Sequence, residues 1–169
     1  MTQSKPSKSA RKREQLELQQ LGEQLIDFTA EELRALPIDE RLREAALAAS
    51  KMRAHGALRR QKQLIGKLMR TCDPEPIRRA VAARAASDRQ AKRVFADAER
   101  WRDRIVGEGD DAIRLFCEQT GTPGGALGEL LARIRSAPND RVQKGLRRQL
   151  FREVHDALMT AAQNDRISR

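Results

Sequence analysis

Aromatic residues are scarce in this chain of 169 residues: they make up 3% of it, with four Phe, one Trp and no Tyr. Sheet- and barrel-type RNA binders build stacking platforms from such rings, so little material is left for those classes, and any nucleic-acid recognition is expected to rest mainly on phosphates and shape. There are two histidines, His55 and His155, with no metal-ligand spacing between them. A structural zinc site needs about four closely spaced His or Cys ligands, so no metal and no cofactor is expected. Cys72 and Cys117 lie far apart without a CxxC pattern and read as ordinary reduced thiols. No stretch approaches the roughly 18 apolar residues of a membrane-spanning helix. The N-terminal run MTQSKPSKSARKR has charge without an apolar core segment, so it is not a secretory signal, and a cytoplasmic location is expected. Walker, GxSxG and Rossmann glycine patterns are missing too, so the sequence supports a binding protein rather than an enzyme.

What is present is charge. Charged residues make up 34% of the chain, the net charge is +10 and the sequence pI is about 10.5. A field of that sign attracts polyanions.

Hydrophobic periodicity gives helices throughout and no period-2 strand run, so the fold class is all-α: a frame of long helices with a smaller C-terminal helical bundle. Residues 1–12 read as a mobile basic tail, 13–107 as an N-terminal long-helix domain and 108–169 as a C-terminal helical domain. Helix is expected from about Arg11, with Leu18, Leu21, Leu25 and Phe28 forming a seam for another helix. Thr29 and Glu32 have capping-box spacing, for a short helix that ends before Pro37. Asp39 caps the next helix, expected to run unbroken to Cys72 with Gly56 and Gly66 as weak points. Asp73-Pro74-Glu75-Pro76 is a strong helix start, and the helix it begins ends in Gly107-Glu108-Gly109, the expected domain boundary. A cap at Asp110 or Asp111 opens a helix closed by Gly121. Leu127, Leu130, Leu131 and Ile134 mark the next, and Val142, Leu146, Leu150, Val154 and Leu158 the last.

One stretch stands out. Residues 59–70 read RRQKQLIGKLMR, and no Asp or Glu occurs between Glu44 and Asp73. At about 100° per residue, Arg59, Arg60, Lys67 and Arg70 share an arc of about 100° with Gln63, opposite Leu58, Leu64, Ile65, Leu68 and Met69. Lys62 belongs to the same run, which Lys51 and Arg53 lengthen upstream. A solvated face normally mixes signs, because opposite charges at i, i+4 stabilise a helix and like charges cost about as much. The last helix repeats the pattern with Arg141, Lys144, Arg148 and Arg152 on one side, diluted by Asp140 and Glu153. Arg133 and Arg135 can extend it. Two basic helical faces suit the phosphate ridges of folded RNA or duplex nucleic acid. Trp101 is expected to pack in the core, and the Asp110-Asp111 pair to serve helix capping rather than metal binding.

The blocks ALRRQKQLIGKLMR, DPEPIRRAV and RWRDRIVGEGDDAI, with RRQLFREV in the terminal helix, resemble the DarP family of bacterial ribosome-associated proteins, the dual-action ribosomal maturation proteins. The similarity runs in order from about Glu14 to Leu158. It implies an all-helical factor that binds 23S rRNA of the large (50S) ribosomal subunit late in assembly, on the face that meets the small subunit. There it helps the peptidyl transferase region reach its fold, in company with other assembly factors. The matching positions are Arg59, Arg60, Gln61, Gln63, Leu64, Ile65, Gly66, Lys67 and Arg70, then Glu75, Pro76, Ile77 and Arg78, and later Arg102, Asp103, Arg104, Gly109, Asp110 and Asp111. With Arg78 the rRNA-binding set comprises Lys51, Arg53, Arg59, Arg60, Lys62, Lys67, Arg70, Arg78, Arg141, Lys144, Arg148 and Arg152. The chain departs from the family in its basic N-terminus, where relatives carry an acidic extension, and in its TPGGALG loop. Two other classes share some of these features: a DNA-binding nucleoid-type helical protein, and a protein–protein adaptor docking a partner on the Leu18–Phe28 seam.

Overall fold

The computed structural model describes residues 7–167 and is all-α: the described residues hold eight α-helices, two single 3-10 turns and no strand. The helices are α1 (Lys8–Gln24), α2 (Ala30–Ala35), α3 (Glu40–Lys51), α4 (His55–Leu68), α5 (Pro74–Glu108), α6 (Asp110–Thr120), α7 (Gly125–Arg135) and α8 (Asp140–Ile167). The chain divides into two compact units, one through Ala86 and one from Ser87 onward, so the division falls inside α5. The glycines at 107 and 109 mark the turn from α5 into α6 instead.

In the first unit α4 packs against both α1 and α3. The core is Leu21, Leu25, Phe28, Leu33, Ile38, Leu42, Ala45, Ala46, Ala49, Ile65, Met69 and Ile77. Two glycines set how closely α1 and α4 approach. A Cβ on Gly22 would stand 2.6 Å from Met69 Cγ and 2.8 Å from Ile65 Cγ2, and one on Gly66 would stand 3.0 Å from Gln19 Cγ. Gly66, a weak point by helix propensity, is thus a packing position. The seam Leu21, Leu25 and Phe28 is buried within this unit.

The start of α1 differs from the sequence expectation. Ser7 accepts a hydrogen bond from the Ala10 backbone N–H at 3.2 Å and caps the helix at Lys8, so residues 8–12 belong to α1; residues 1–6 of the expected basic tail lie outside the described residues. The unbroken helix expected from Asp39 to Cys72 is two helices, joined by residues 52–54. No Pro or capping side chain marks this break. The Ala face of α3 (Ala45, Ala46, Ala49) is buried against the returning chain, and Gln61 Nε2 donates to the Ala45 carbonyl at 3.0 Å. Burying that face offsets the backbone hydrogen bonds lost at the turn.

Other boundaries follow local chemistry. The Thr29–Glu32 capping box is complete, with reciprocal hydrogen bonds of 2.7 and 3.2 Å. Asp39 accepts from Arg41 N–H at 2.8 Å and Asp73 from Glu75 N–H at 3.0 Å. Glu32 also receives Arg84 of α5 at 2.8 Å, while the same guanidinium lies 5.0 Å from the centre of the Phe28 ring. Hydrogen bonding from Thr29, its backbone N–H first, and then the Arg84 charge hold the Glu32 carboxyl below its ordinary value. A depressed carboxylate contributes stability above its unfolded value and loses it as pH falls through the folded one. Acid titration followed by circular dichroism is therefore expected to show the first unit weakening below the ordinary carboxylate range, with a shallower slope in Glu32→Gln.

The second unit is built on Val94, Ala98, Ile105, Ile113, Phe116, Leu127, Leu130, Leu131, Ile134, Leu146, Leu150, Val154 and Leu158. Trp101 is half-buried against it, edge-on to Phe116 with ring centres 5.2 Å apart, as the periodicity predicts. Val142 departs from the expected stripe and is exposed. The cap of α6 also departs: the N-cap is Gly109, at φ 76°, and Asp110 and Asp111 occupy the first turn. A left-handed backbone favours glycine, and a Cβ there would lie 2.6 Å from Arg135 Nη2. Both aspartates then serve the helix dipole, with Asp111 also 2.8 Å from Arg114. Gly121, at φ 70°, closes α6 in the left-handed conformation, and Asn139 caps α8 by accepting from Val142 N–H at 3.0 Å.

Candidate nucleic-acid interface

Helix α4 buries Ile65 and the 3-10 turn that follows it (Met69–Thr71) buries Met69, while the cations of both face outward. Arg59, Arg60, Lys67 and Arg70 are exposed, as are Lys51 at the end of α3 and Arg53 in the connection. None of these six has an acidic partner at ion-pair distance among the described residues. That contrasts with Arg43, Arg84, Arg100, Arg102, Arg104 and Arg114, each of which meets a carboxylate. Cations left without internal partners keep their charge available to an external anion.

Lys62 differs from its neighbours. Its Nζ lies 2.8 Å from Glu23 of α1, and Glu23 is held further by Gln19 Nε2 at 2.9 Å. Burial by itself would raise the Glu23 carboxyl, yet the Lys62 and Gln19 hydrogen bonds and the Lys62 charge outweigh it and leave it lowered. Lys62 therefore ties α4 to α1, and the fold places it apart from the free cations of its helix. Arg78 is exposed at the start of α5 and meets Glu75 at 3.5 Å, a surface pair worth little.

The structure adds residues from α1 and from the packing side of α4. Lys12, Gln15, Leu16 and Gln19 of α1 line a groove of about 320 Å3 with Gln63, Gly66 and Lys67 of α4 and Arg70 of the 3-10 turn that follows it. Lys12 so joins the basic face, brought there by the extra turn of helix that Ser7 initiates. On the other side of α4 a groove of about 520 Å3 is lined by Arg41, Glu44, Ala45, Ala48, Gln61, Leu64, Lys67 and Leu68. Leu64, expected on the packing side, is 44% exposed in it. Lys67 stands between the two grooves.

In the second unit Arg141, Lys144, Arg148 and Arg152 are all exposed on α8, joined by Arg147. Arg148 Nε donates to the Lys144 carbonyl at 3.4 Å, which steadies its stem along the helix. Arg135 instead lies against the Gly109 turn. Among the described residues no group of three or more His, Cys, Asp and Glu side chains forms a metal cage. The Cys72 thiol is pushed up by burial and by Asp73 and Asp39, which makes it a poor nucleophile. No helix of the described residues is long and apolar enough to cross a membrane.

A family model described as "Dual-action ribosomal maturation protein DarP" matches residues 4–159. A protein of that name from Idiomarina loihiensis is 39% identical over 156 residues, covering 90% of this chain and 90% of its own length. The protein so named from Thiobacillus denitrificans is 35% identical over 155 residues, covering 90% of this chain and 87% of itself. The one from Nitrosospira multiformis is 42% identical over 106 residues, covering 63% of this chain and 58% of itself. A match over nearly the whole chain, from residue 4, ahead of α1, to residue 159 in α8, places this protein in the DarP family.

Proposed function

We propose that this chain is a ribosome maturation factor that acts by binding 23S rRNA of the large subunit in the cytoplasm, late in assembly and on the subunit interface. The observation that carries the reading is the basic face of α4 and the turn after it: Arg59, Arg60, Lys67 and Arg70 exposed, without carboxylate partners among the described residues, in a chain of net charge +10. Family membership supplies the ribosome as the place where such a face is used. Each phosphate neutralised releases counterions, so binding falls steeply with salt.

The mode of action needs binding alone. A helical surface whose cations are fixed by a packed core binds rRNA in its correct or nearly correct fold better than misfolded alternatives. That difference in affinity shifts the population toward the bound fold. Release follows when mature contacts or the small subunit compete for the same surface, and maturation of the peptidyl transferase region is the outcome. Other assembly factors act on the same particles.

A DNA-binding role shares the electrostatics, whereas the adaptor role is disfavoured because Leu21, Leu25 and Phe28 are buried within the protein's own first unit. Sedimentation of a cell lysate through sucrose at low and high salt tests the proposal. The protein is expected with free large subunits and their precursors at low salt and at the top of the gradient at high salt. Migration at the top in both conditions, or with DNA, would contradict it.

A further inference from the structure

Of the few aromatic rings of this chain, Phe95 alone is exposed, while Phe151 packs partly buried against the core. Phe28 and Phe116 are buried and Trp101 leans on Phe116. The other two, Phe95 of α5 and Phe151 of α8, meet edge to face with ring centres 5.1 Å apart at 63°. Phe95 remains 51% exposed. A lone exposed apolar residue means little, so the surroundings decide.

The pair lines an open cleft of about 310 Å3 together with Arg102, Arg147, Arg148, Glu99 and Asp103. Asp103 is occupied by Arg102 through hydrogen bonds of 2.8 and 2.9 Å. Arg147 and Arg148 are exposed; neither meets an acid at ion-pair distance among the described residues, although the Arg147 charge also helps to hold the Asp103 carboxyl low. Arg148 also belongs to the basic face of α8, so the cleft opens onto cations already aligned along that helix. An aromatic ring beside exposed guanidinium groups is the chemistry that receives an unpaired nucleotide: the base lies on the ring and the phosphate takes the arginines. Glu99 adds an acceptor for an N–H on the base edge. Duplex RNA has no base free to enter, and a purely apolar partner would offer the exposed arginines no anion.

We propose that the cleft between α5 and α8 takes one unpaired nucleotide of an RNA loop or bulge, with its base on Phe95 and its phosphate on Arg147 and Arg148. This rests on the rRNA-binding reading above and adds to it a site that distinguishes single-stranded from paired RNA.

Fluorescence titration of the full chain tests it, using a hairpin RNA with 2-aminopurine in its loop and a blunt duplex RNA of equal charge. The wild-type protein is expected to bind both and to quench the loop probe. Phe95→Ala and Phe95→Leu are each expected to weaken loop binding about tenfold and to leave duplex binding and helical content unchanged, whereas Phe95→Trp retains loop affinity. The leucine variant keeps apolar packing on Phe151 without a ring, so an equal loss in both variants points to stacking. Loop binding at wild-type strength in both variants, or an equal loss for loop and duplex, would overturn the site while leaving the proposed function standing. Wild-type protein that binds neither RNA would overturn both.

Discussion

Reversing the charge of Arg59, Arg60 and Lys67 together (R59E, R60E, K67E) is expected to weaken binding to large-subunit rRNA by about two orders of magnitude at moderate salt and to flatten the dependence of affinity on salt. The net charge falls from +10 to +4, three positive charges becoming three negative ones, and each altered side chain would then repel a phosphate. The fold is expected to survive. All three side chains are exposed and Glu is a good helix former. Arg59 and Arg60 lie near the start of α4, where negative charge suits the dipole; Lys67 lies in the last turn, where it does not, at a cost of well under about 1 kcal/mol. Circular dichroism checks helical content, and filter binding or fluorescence anisotropy over a salt series checks affinity and slope. Lys62→Gln is the internal comparison. Because Lys62 is engaged with Glu23 at 2.8 Å, its neutralisation is expected to cost little RNA affinity and some stability.

Gly22→Val has the largest expected effect on the fold. The added Cβ would lie 2.6 Å from Met69 Cγ and 2.8 Å from Ile65 Cγ2; Met69 and Ile65 are wholly buried, so neither can simply swing into solvent. Overpacking of a filled core costs about 1–3 kcal/mol, offset by only a few tenths of a kcal/mol from replacing a helical glycine. The upper end of that range is expected here, because Gly66 already stands close to Gln19 across the same helix pair. For a unit of this size the loss corresponds to a fall in Tm of roughly 10 °C or more. A denaturation series read by circular dichroism measures it. Separation of α1 from α4 would also part Lys12 from Lys67 and Arg70 across their shared groove, so RNA affinity is expected to fall even though no cation is altered.

These two variants separate what the sequence makes plain from what it conceals. Features encoded within a few residues are legible: the Thr29–Glu32 capping box, the start at Asp73-Pro74, the left-handed Gly121, the apolar stripe of α7, and the acid-free run on α4. Each needs only local geometry. The break at residues 52–54 is concealed, because no Pro, Gly or capping side chain stands there and the turn is decided by packing α3 on α4. Lys62 reads as one more cation of a basic helix, for its partner Glu23 lies on α1, far away in sequence. Lys12 reads as tail because the cap at Ser7 adds only one turn of helix. Gly66 reads as a flaw in a helix and proves to be a packing position. Leu64 and Val142 show the limit of a helical wheel: both lie near the edge of the apolar arc and both are exposed. The cleft at Phe95 and Phe151 escapes any linear reading, since its two rings come from different helices.

The account stands most directly on the link between the free cations of α4 and the large subunit. The measurement is the sucrose gradient run at low salt on wild-type protein and the triple variant side by side, each expressed at equal level. The account predicts wild-type protein with large subunits and their precursors, and the triple variant, folded by circular dichroism, at the top of the gradient. A folded triple variant that still sediments with the large subunit would contradict it, and would place the contact elsewhere on the chain.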